Sequence, residues 1–578
     1  MAAKTLGIDL GTTNSAMAVV EDGVPRLLET SSGRVLPSVV GVSGKGELLV
    51  GTPARNQWVV APKDTIRSVK RSMGSNRRLQ MGGRDYTPQE ISAMILKDLK
   101  ATGQEALGEA ASRAVITVPA YFNELQRQAT IEAGEIAGLA VERVINEPTA
   151  AALAYGLGSG AEGRFLVYDL GGGTFDVSVI EVMDGVVDVR ATAGDNQLGG
   201  DDFDQLLADR LASEFLDKHV LDPRAYPQAW ARLLRAAEDA KVTLSDAPFA
   251  NVVLEYLLED TSGKPLHFER EVSRDEFEEL VESLLKRTLK FVDQALADAE
   301  LRPGALDRIL LVGGSTRIPA VWRHLSSHLG QEPSGEIDPD AVVALGAAVQ
   351  AGIVAGEPVD AILVDVTPLS LGIETAHIGR TGRLQDDLFT PLIRRNTTIP
   401  VVKSEAFNTI YPGQDAIHIK VYQGEDPVAS KNALLGEFMV EGLKPSRLDG
   451  ITEVTVDFGL DVSGILDVTV AERGGRALAG AELKASRRRL STEEIAKSRA
   501  RLGQNGAEAE LDEATAALLT RSADLLEGAD LDSGTASALT GLMADIRAAS
   551  GAGDEARLQA LSDRLVDRLL DVEQERTG

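Results

Sequence analysis

Residues 167–180 read VYDLGGGTFDVSVI. Three consecutive glycines separate two runs of strand-forming residues, with Asp169 before them and Asp176 after them. A tight hairpin needs one or two glycines and no acids. A glycine run does something further. With no Cβ in the way, backbone N–H groups can approach a ligand, and successive N–H groups form a concavity that suits an anion. The Thr174 hydroxyl and the nearby carboxylates suit a phosphate carried with Mg²⁺, which takes oxygen ligands and keeps much of its water. The stretch predicts a phosphate-binding hairpin.

The same plan occurs near the start. Residues 7–20 read GIDLGTTNSAMAVV: an apolar strand, Asp-Leu-Gly, a small polar turn and a second alternating strand. Here Gly11, Thr12, Thr13 and Asn14 stand where the second copy has its glycines. Internal similarity of this kind predicts two related lobes, each offering one hairpin. A third loop lies at 309–319, ILLVGGSTRIP. Its apolar run reads as a buried strand, Gly313-Gly314-Ser315 as the turn, and the residues from about Pro319 as a helix, which places backbone beside a flat or anionic ligand. None of the loops fits GxxxxGK[ST], and no GxGxxG opens a helix after a strand, so neither a P-loop nor a dinucleotide fold is expected. Together the three loops predict a nucleotide held between two lobes.

The bulk numbers bound the rest. A chain of 578 residues predicts two to four domains. At 43% hydrophobic and 25% charged, it has the composition of a globular protein with more than one sizeable core. Its net charge of −29, from 88 acidic and 59 basic residues, argues against nucleic acid as the main partner. With no cysteine there are no disulfides, thiol catalysis or thiolate metal sites. The N-terminus enters a strand without a signal-peptide core, and no apolar run is long enough to span a membrane. The cytoplasm is the expected compartment.

GIDLGTTNS, VITVPAYFNELQRQAT, INEPTAAALAYGL, VYDLGGGTFDVSVI, LGGDDFD, VGGSTRIP, DVTPLSLGIET and RNTTIP, in that order from residue 4 to about 470, closely resemble the seventy-kilodalton heat-shock chaperones of the bacterial type. The resemblance implies a multi-domain α/β, all-β and α protein: an actin-like two-lobed ATPase domain over 1–357, a linker at 358–366, a peptide-binding β-sandwich over 367–488 and a helical lid over 489–578. It implies ATP or ADP with Mg²⁺ and K⁺. Asp9, Thr12, Thr13 and Asn14 resemble the first phosphate loop. Gly171, Gly172, Gly173, Thr174 and Asp176 resemble the second, with Asp9 and Asp169 meeting the metal mainly through water. By itself Lys70 or Glu147 would read as a solvated surface residue. By resemblance they position water and the γ-phosphate. Gly199 and Gly200 fall on the phosphate side. Glu238, Lys241 and Ser245 fall around adenine and ribose, as do Gly313, Gly314, Ser315, Arg317, Ile318 and Asp340.

The resemblance extends to coupling and to peptide. The run VDAILVDV at 359–366 reads from its residues as a buried strand and by resemblance as a linker that docks when ATP is bound. Asp365, Pro119 and Arg127 resemble residues that relay the signal, and Tyr121, Asn123 and Arg143 lie at the expected contact of a J-domain cochaperone. A nucleotide exchange factor is the other implied cochaperone. Residues 416–424 and 453–470 alternate as strands. Ile417 resembles the floor of the peptide pocket, and Ala376 with Ile410 the pair that arches over an extended apolar segment.

Two stretches depart from the family. Residues 376–388, AHIGRTGRLQDDL, are longer than its short loop, and 73–86 are shorter, predicting a reduced peripheral hairpin. In the Ala-, Leu- and acid-rich region 491–578, Ser491 and Glu494 predict a capping box. Gly503–Gly506 and Asp530–Gly534 predict breaks between helices. The acidic EEVD-type ending of cytosolic eukaryotic relatives is absent. Two further readings compete: a specialist of the same family with narrow clients, such as iron–sulfur scaffold proteins, and a small-molecule kinase of the actin superfamily, which would lack linker and sandwich.

Overall fold

The computed structural model describes residues 4–160, 162–335, 338–359, 361–379, 383–444, 450–472, 476–484 and 490–509, with short helical stretches from there to 569. Two sheets repeat one plan. In the first, Thr5–Asp9 turns back into Asn14–Glu21 and on to Val24–Leu28. Arg113–Val118 lies parallel to Thr5–Asp9, and Ala140–Asn146 parallel to Arg113–Val118. In the second, Gly163–Leu170 turns back into Phe175–Met183 and on to Val186–Asp195, with Arg308–Val312 parallel to Gly163–Leu170. Both glycine-bearing turns therefore sit at corresponding corners, as the internal similarity predicts.

The crossing helices explain how the corners come to face each other. Helices Glu147–Ser159 and Val342–Ala355 pack together between the sheets. A Cβ on Gly346 would lie 1.7 Å from the Ala150 carbonyl oxygen, so only glycine allows this approach. Each lobe has its own apolar core. Leu6, Ile8 and Met17 are fully buried in the first, and Phe175, Phe203 and Phe277 are buried in the second. Burying a side chain of this size stabilises by about 1.5–3 kcal/mol. The chain shortened at 73–86 forms the small hairpin Leu79–Met81/Arg84–Tyr86.

The stretch expected as a linker contains a strand. Ile362–Val366 adds to the second sheet, parallel to Val186–Asp195, and its last residues pair with Thr398–Ile399 of the following domain. Beyond it two four-stranded sheets face each other. One holds Leu384–Ile393, Leu371–Ile378, Ala416–Gln423 and Ala433–Glu441, the other Val401–Asn408, Glu453–Leu460, Leu466–Glu472 and Arg476–Lys484. Val421, Val440, Val456, Phe458 and Val468 are fully buried between them. The stretch 376–388 is largely strand and not loop. It prolongs the hairpin Leu371–Ile378/Leu384–Ile393, with Ile378 paired to Leu384.

Helix Thr492–Ala509 begins at the predicted capping box: the Glu494 N–H donates to Ser491 Oγ, and the Ser491 N–H to Glu494 Oε2. It lies against the first lobe, where Ile495 and Leu502 join the core, Ser498 Oγ donates to Glu90 at 2.9 Å and Arg501 pairs with Glu90. The break predicted at Gly503–Gly506 is corrected, because the helix runs through it. A glycine costs roughly 1 kcal/mol inside a helix, which does not by itself stop one. The break predicted at Asp530–Gly534 lies outside the described residues.

Candidate nucleotide site

Between the lobes lies a cleft of about 820 Å³. Asp9, Thr12, Thr13 and Asn14 line it from the first hairpin, and Asp169, Gly171, Gly172 and Thr174 from the second. Lys70 and Glu147 lie at its base in direct contact, 4% and 7% exposed. The opposite wall is built by Glu238, Lys241 and Ser245 on helix Pro227–Asp246, and by Gly313, Gly314, Ser315, Arg317, Ile318 and Asp340 around the short 3-10 turn after Val312. The third loop thus has the strand, turn and helix expected, the helix being Pro319–Leu329.

Four predicted residues stand just behind the cleft. A Cβ on Gly173 would come within 2.5 Å of Thr12 Cγ2, and one on Gly199 within 2.6 Å of the Gly172–Gly173 peptide. Gly200 carries its N–H to the Gly171 carbonyl at 3.0 Å. Asp176 does not line the cleft. Its carboxylate accepts the Ala120 and Tyr121 N–H groups at 3.1 and 3.0 Å, so its visible work is to hold the second hairpin against the first lobe. The N–H groups of Gly172, Gly173 and Thr174 donate to no protein acceptor among the described residues. A bare row of donors in a polar cleft is what an anion requires.

Charge at the base points the same way. Burial, and then the Glu147 charge, push Asp9 up to about 7, against the opposing pull of Lys70 and of the Thr117 hydroxyl. Asp169 is driven well above the usual carboxylate range by burial and by Glu147, Asp176 and Asp9. Asp176 rises to about 7 through burial and Glu147, with the two backbone N–H groups opposing. These carboxylates crowd one lysine, an arrangement that a divalent cation relieves. Among the described residues no three acidic or histidine side chains converge closely enough to cage a metal. The oxygen-only donor set of the cleft fits Mg²⁺, which takes oxygen ligands and keeps much of its water.

On the wall opposite the hairpins, Lys241 Nζ donates to Asp204 at 2.7 Å, and burial of Asp204 raises it to about 6 despite that partner. Burial would raise Glu238 too, but Arg67, Arg55, Lys241 and Arg235 outweigh it and leave the carboxyl lowered. Arg317 pairs with Asp340 at 2.7 Å. Sequence reasoning missed Arg55, which crosses the cleft to Glu238 at 2.8 Å, and Trp58, which carries the Arg67 guanidinium 4.4 Å over its ring. It also missed Arg71. Only the position of Arg71 beside Lys70 could have drawn attention to it.

The residues expected to relay a signal form one buried chain. Both Asp365 carboxylate oxygens accept from Asn146 Nδ2, at 2.9 and 3.0 Å, and one also accepts from Thr149 Oγ1 at 3.3 Å. Asn146 Oδ1 accepts from Arg127 at 2.6 Å, and Arg127 reaches the Ala120 carbonyl at 3.0 Å. Pro119 begins the same turn, its carbonyl accepting the Phe122 N–H. Asn146 immediately precedes Glu147, so the residue that holds the linker adjoins one at the base of the cleft. Arg143 bonds Gln350, and burial lowers it against the opposing pull of Asp365 and Asp461, while Asn123 caps helix Glu124–Ile136. The Tyr121 carbonyl accepts from Asn196 Nδ2 at 3.0 Å. In the sandwich, Ile417 is half-buried against the core, Ala376 is half-buried at a register shift, and Ile410 lies in the loop after Val401–Asn408.

A family model described as "Hsp70 protein" matches residues 5–80 and 76–533. The chain is 49% identical over 476 residues to the protein named "Chaperone protein DnaK" of Thermotoga neapolitana, covering 81% of this chain and 78% of that one. The proteins of that name from Thermotoga petrophila and Thermotoga maritima match to the same extent. The two lobes and the β-sandwich agree with that kinship, and the chain belongs to the Hsp70 family of ATP-hydrolysing chaperones.

Proposed function

We propose that ATP in the cleft governs capture and release of extended apolar segments by the β-sandwich, through the buried contact between Asp365 and Asn146. The chain is an ATP-dependent chaperone, using ATP and Mg²⁺. The finer assignments are ours. The free N–H groups of the second hairpin and Thr174 bind β- and γ-phosphate oxygens. Lys70, held by Glu147, orients the attacking water and a γ-phosphate oxygen. Mg²⁺, when bound, neutralises charge on the phosphates, and K⁺ completes the ion set. Phosphoryl transfer depends mostly on such positioning and charge. Glu238, Lys241, Ser245, Arg317 and Ile318 hold adenosine.

The observation that carries the coupling is adjacency. Asn146 fixes Asp365 of the linker, and Glu147 contacts Lys70. Loss of nucleotide would disturb one and release the other. The functional units are 1–357, 358–366, 367–488 and 489–578. Helix Thr492–Ala509 belongs to a lid that leaves the first lobe to close over bound peptide. Ile417, Ala376 and Ile410 contact that peptide. A J-domain protein meets Tyr121, Asn123 and Arg143 and speeds hydrolysis, an exchange factor releases ADP, and the protein works in the cytoplasm. Nothing observed favours narrow clients, and linker and sandwich together disfavour a small-molecule kinase.

The test is single-turnover ATP hydrolysis with and without a leucine-rich extended peptide and a J-domain protein. Slow basal turnover that rises with both supports the coupling. ATP cleavage indifferent to both would sink it.

A further inference from the structure

Lys70 and Arg71 share one short turn, Val69–Ser72, entered through Ser68 in the left-handed conformation at φ 53°. Lys70 reaches Glu147. Arg71 crosses to the other lobe, where its Nε donates to the Gly173 carbonyl at 2.9 Å and its two terminal nitrogens take both oxygens of Asp202. Asp202 in turn accepts the Gly199 N–H at 2.8 Å, at the start of helix Gly200–His219.

Each carbonyl of the glycine run has a donor. Gly171 receives the Gly200 N–H at 3.0 Å and Ser315 Oγ at 2.9 Å, and Gly172 receives the Asp201 N–H at 2.7 Å. Gly173 receives Arg71. In a planar trans peptide the carbonyl and the next N–H point opposite ways. Pulling these three carbonyls back therefore turns the N–H groups of Gly172, Gly173 and Thr174 away from those donors. The first two peptides are oriented by donors of their own lobe. The third takes its donor from the other lobe.

We propose that Arg71 is a positioning residue that turns the Gly173–Thr174 peptide toward phosphate only when the lobes are closed, so that closure itself completes the hydrolytic site. The proposal rests on the ATPase reading above. It also explains why one turn carries two cations: Lys70 faces the base of the cleft, while Arg71 reports that the opposite lobe has arrived. Lysine could not replace it, because the contact uses the planar fork of guanidinium against one carbonyl and one carboxylate.

The experiment uses the full chain with Arg71→Met and Arg71→Lys, measuring ATP affinity and, separately, the single-turnover hydrolysis rate at saturating ATP. Loss of one oriented donor typically costs about 10²–10³ in rate. Because the peptide here is misoriented and not removed, the expected fall is about 10- to 100-fold. ATP affinity should change by less than about threefold, and Arg71→Lys should not restore the rate. Retained ATP affinity also certifies that each variant is folded. Three results overturn the proposal: a wild-type rate in Arg71→Met, full rescue by lysine, or a rate loss matched by an equal loss of affinity, which marks a mere clamp between lobes. A wild-type protein that fails to hydrolyse ATP removes the underlying ATPase reading instead, and is distinguished by the wild-type control alone.

Discussion

The two phosphate hairpins share a plan but are held in different ways. The first is fixed within its own lobe. Ser38 Oγ donates to the Gly11 carbonyl at 2.8 Å, the Ser38 N–H to the Thr13 carbonyl at 2.8 Å, and Thr117 Oγ1 to Asp9 at 3.0 Å. The second is stitched across the cleft. Arg71 of the first lobe holds Gly173, and the Ala120 and Tyr121 N–H groups hold Asp176. From there the contacts run through Arg127 and Asn146 to Asp365 in the linker. By these bonds the first hairpin is held within its own lobe. On the proposals above, the second depends on lobe closure and linker docking, and its glycines fit a backbone approached from several sides at once.

The harshest way to break this asymmetry is Gly199→Ala. The new Cβ would meet the carbonyl carbon and oxygen of Gly172 and the nitrogen of Gly173, all at 2.6 Å. Backbone cannot swing aside as a side chain can, so the second hairpin must move. We expect single-turnover hydrolysis to fall by more than about 100-fold. A near-normal rate would mean that the second hairpin tolerates displacement and is no more demanding than the first.

Asp365→Ala cuts the second hairpin from the linker while leaving the cleft as it is. Coupling of this kind is worth about 1–3 kcal/mol, or roughly 5- to 150-fold. Basal hydrolysis should stay near wild type while stimulation by peptide disappears. If peptide still stimulates, the path from Asp176 to the linker carries no signal.

What the sequence disclosed follows the same division. Both hairpins were legible because a phosphate cradle must be built from neighbouring residues, which leaves a contiguous pattern. Arg55, Arg71 and Trp58 were not, because each acts on a partner that only folding brings near: Arg71 and Asp202 are 131 positions apart. The contacts of Asp176 were hidden for that reason, since its partners are N–H groups that carry no side-chain signature. The capping box at Ser491 was legible as local chemistry. The helix through Gly503–Gly506 was not, because summed propensity over a whole helix outweighs a local glycine penalty.

The seam beside this path also holds a titrating group. Glu124 is 2% exposed and its Oε1 has no hydrogen-bond partner. Its N–H donates to Gln423 of the sandwich at 2.9 Å. Burial, then the charges of Glu132 and of Asp461 on the sandwich, raise it to about 8 from the ordinary 4.5. The docked form therefore holds this proton more tightly than a form in which the sandwich and its Asp461 have left. Docking is favoured at low pH and weakens as pH rises toward 8, by at most about tenfold per unit for one proton. Glu124→Gln should dock more tightly at pH 7.5 and lose that slope, which small-angle scattering in ATP across pH 6–8.5 would read. A slope unchanged in the variant would assign the pH dependence to another group.

Thr117→Val probes the first hairpin and should do least. The hydroxyl donates to Asp9, whose carboxyl is already lifted to about 7 by burial and Glu147. Removing the donor lifts it further, since the bond favours the charged form. A hydrogen bond of about 1 kcal/mol corresponds to somewhat less than one pH unit. At fixed Mg²⁺ the acid limb of the hydrolysis profile should move up by roughly half a unit to one unit, a loss that base restores. The hairpin backbone keeps both Ser38 bonds, so ATP affinity should hold. Asp176 in the second hairpin is held instead by backbone N–H groups from the other lobe, which no side-chain truncation of the donors removes. A loss in Thr117→Val that base does not restore would show the first hairpin to be as dependent on its surroundings as the second, and the distinction between the two would fail.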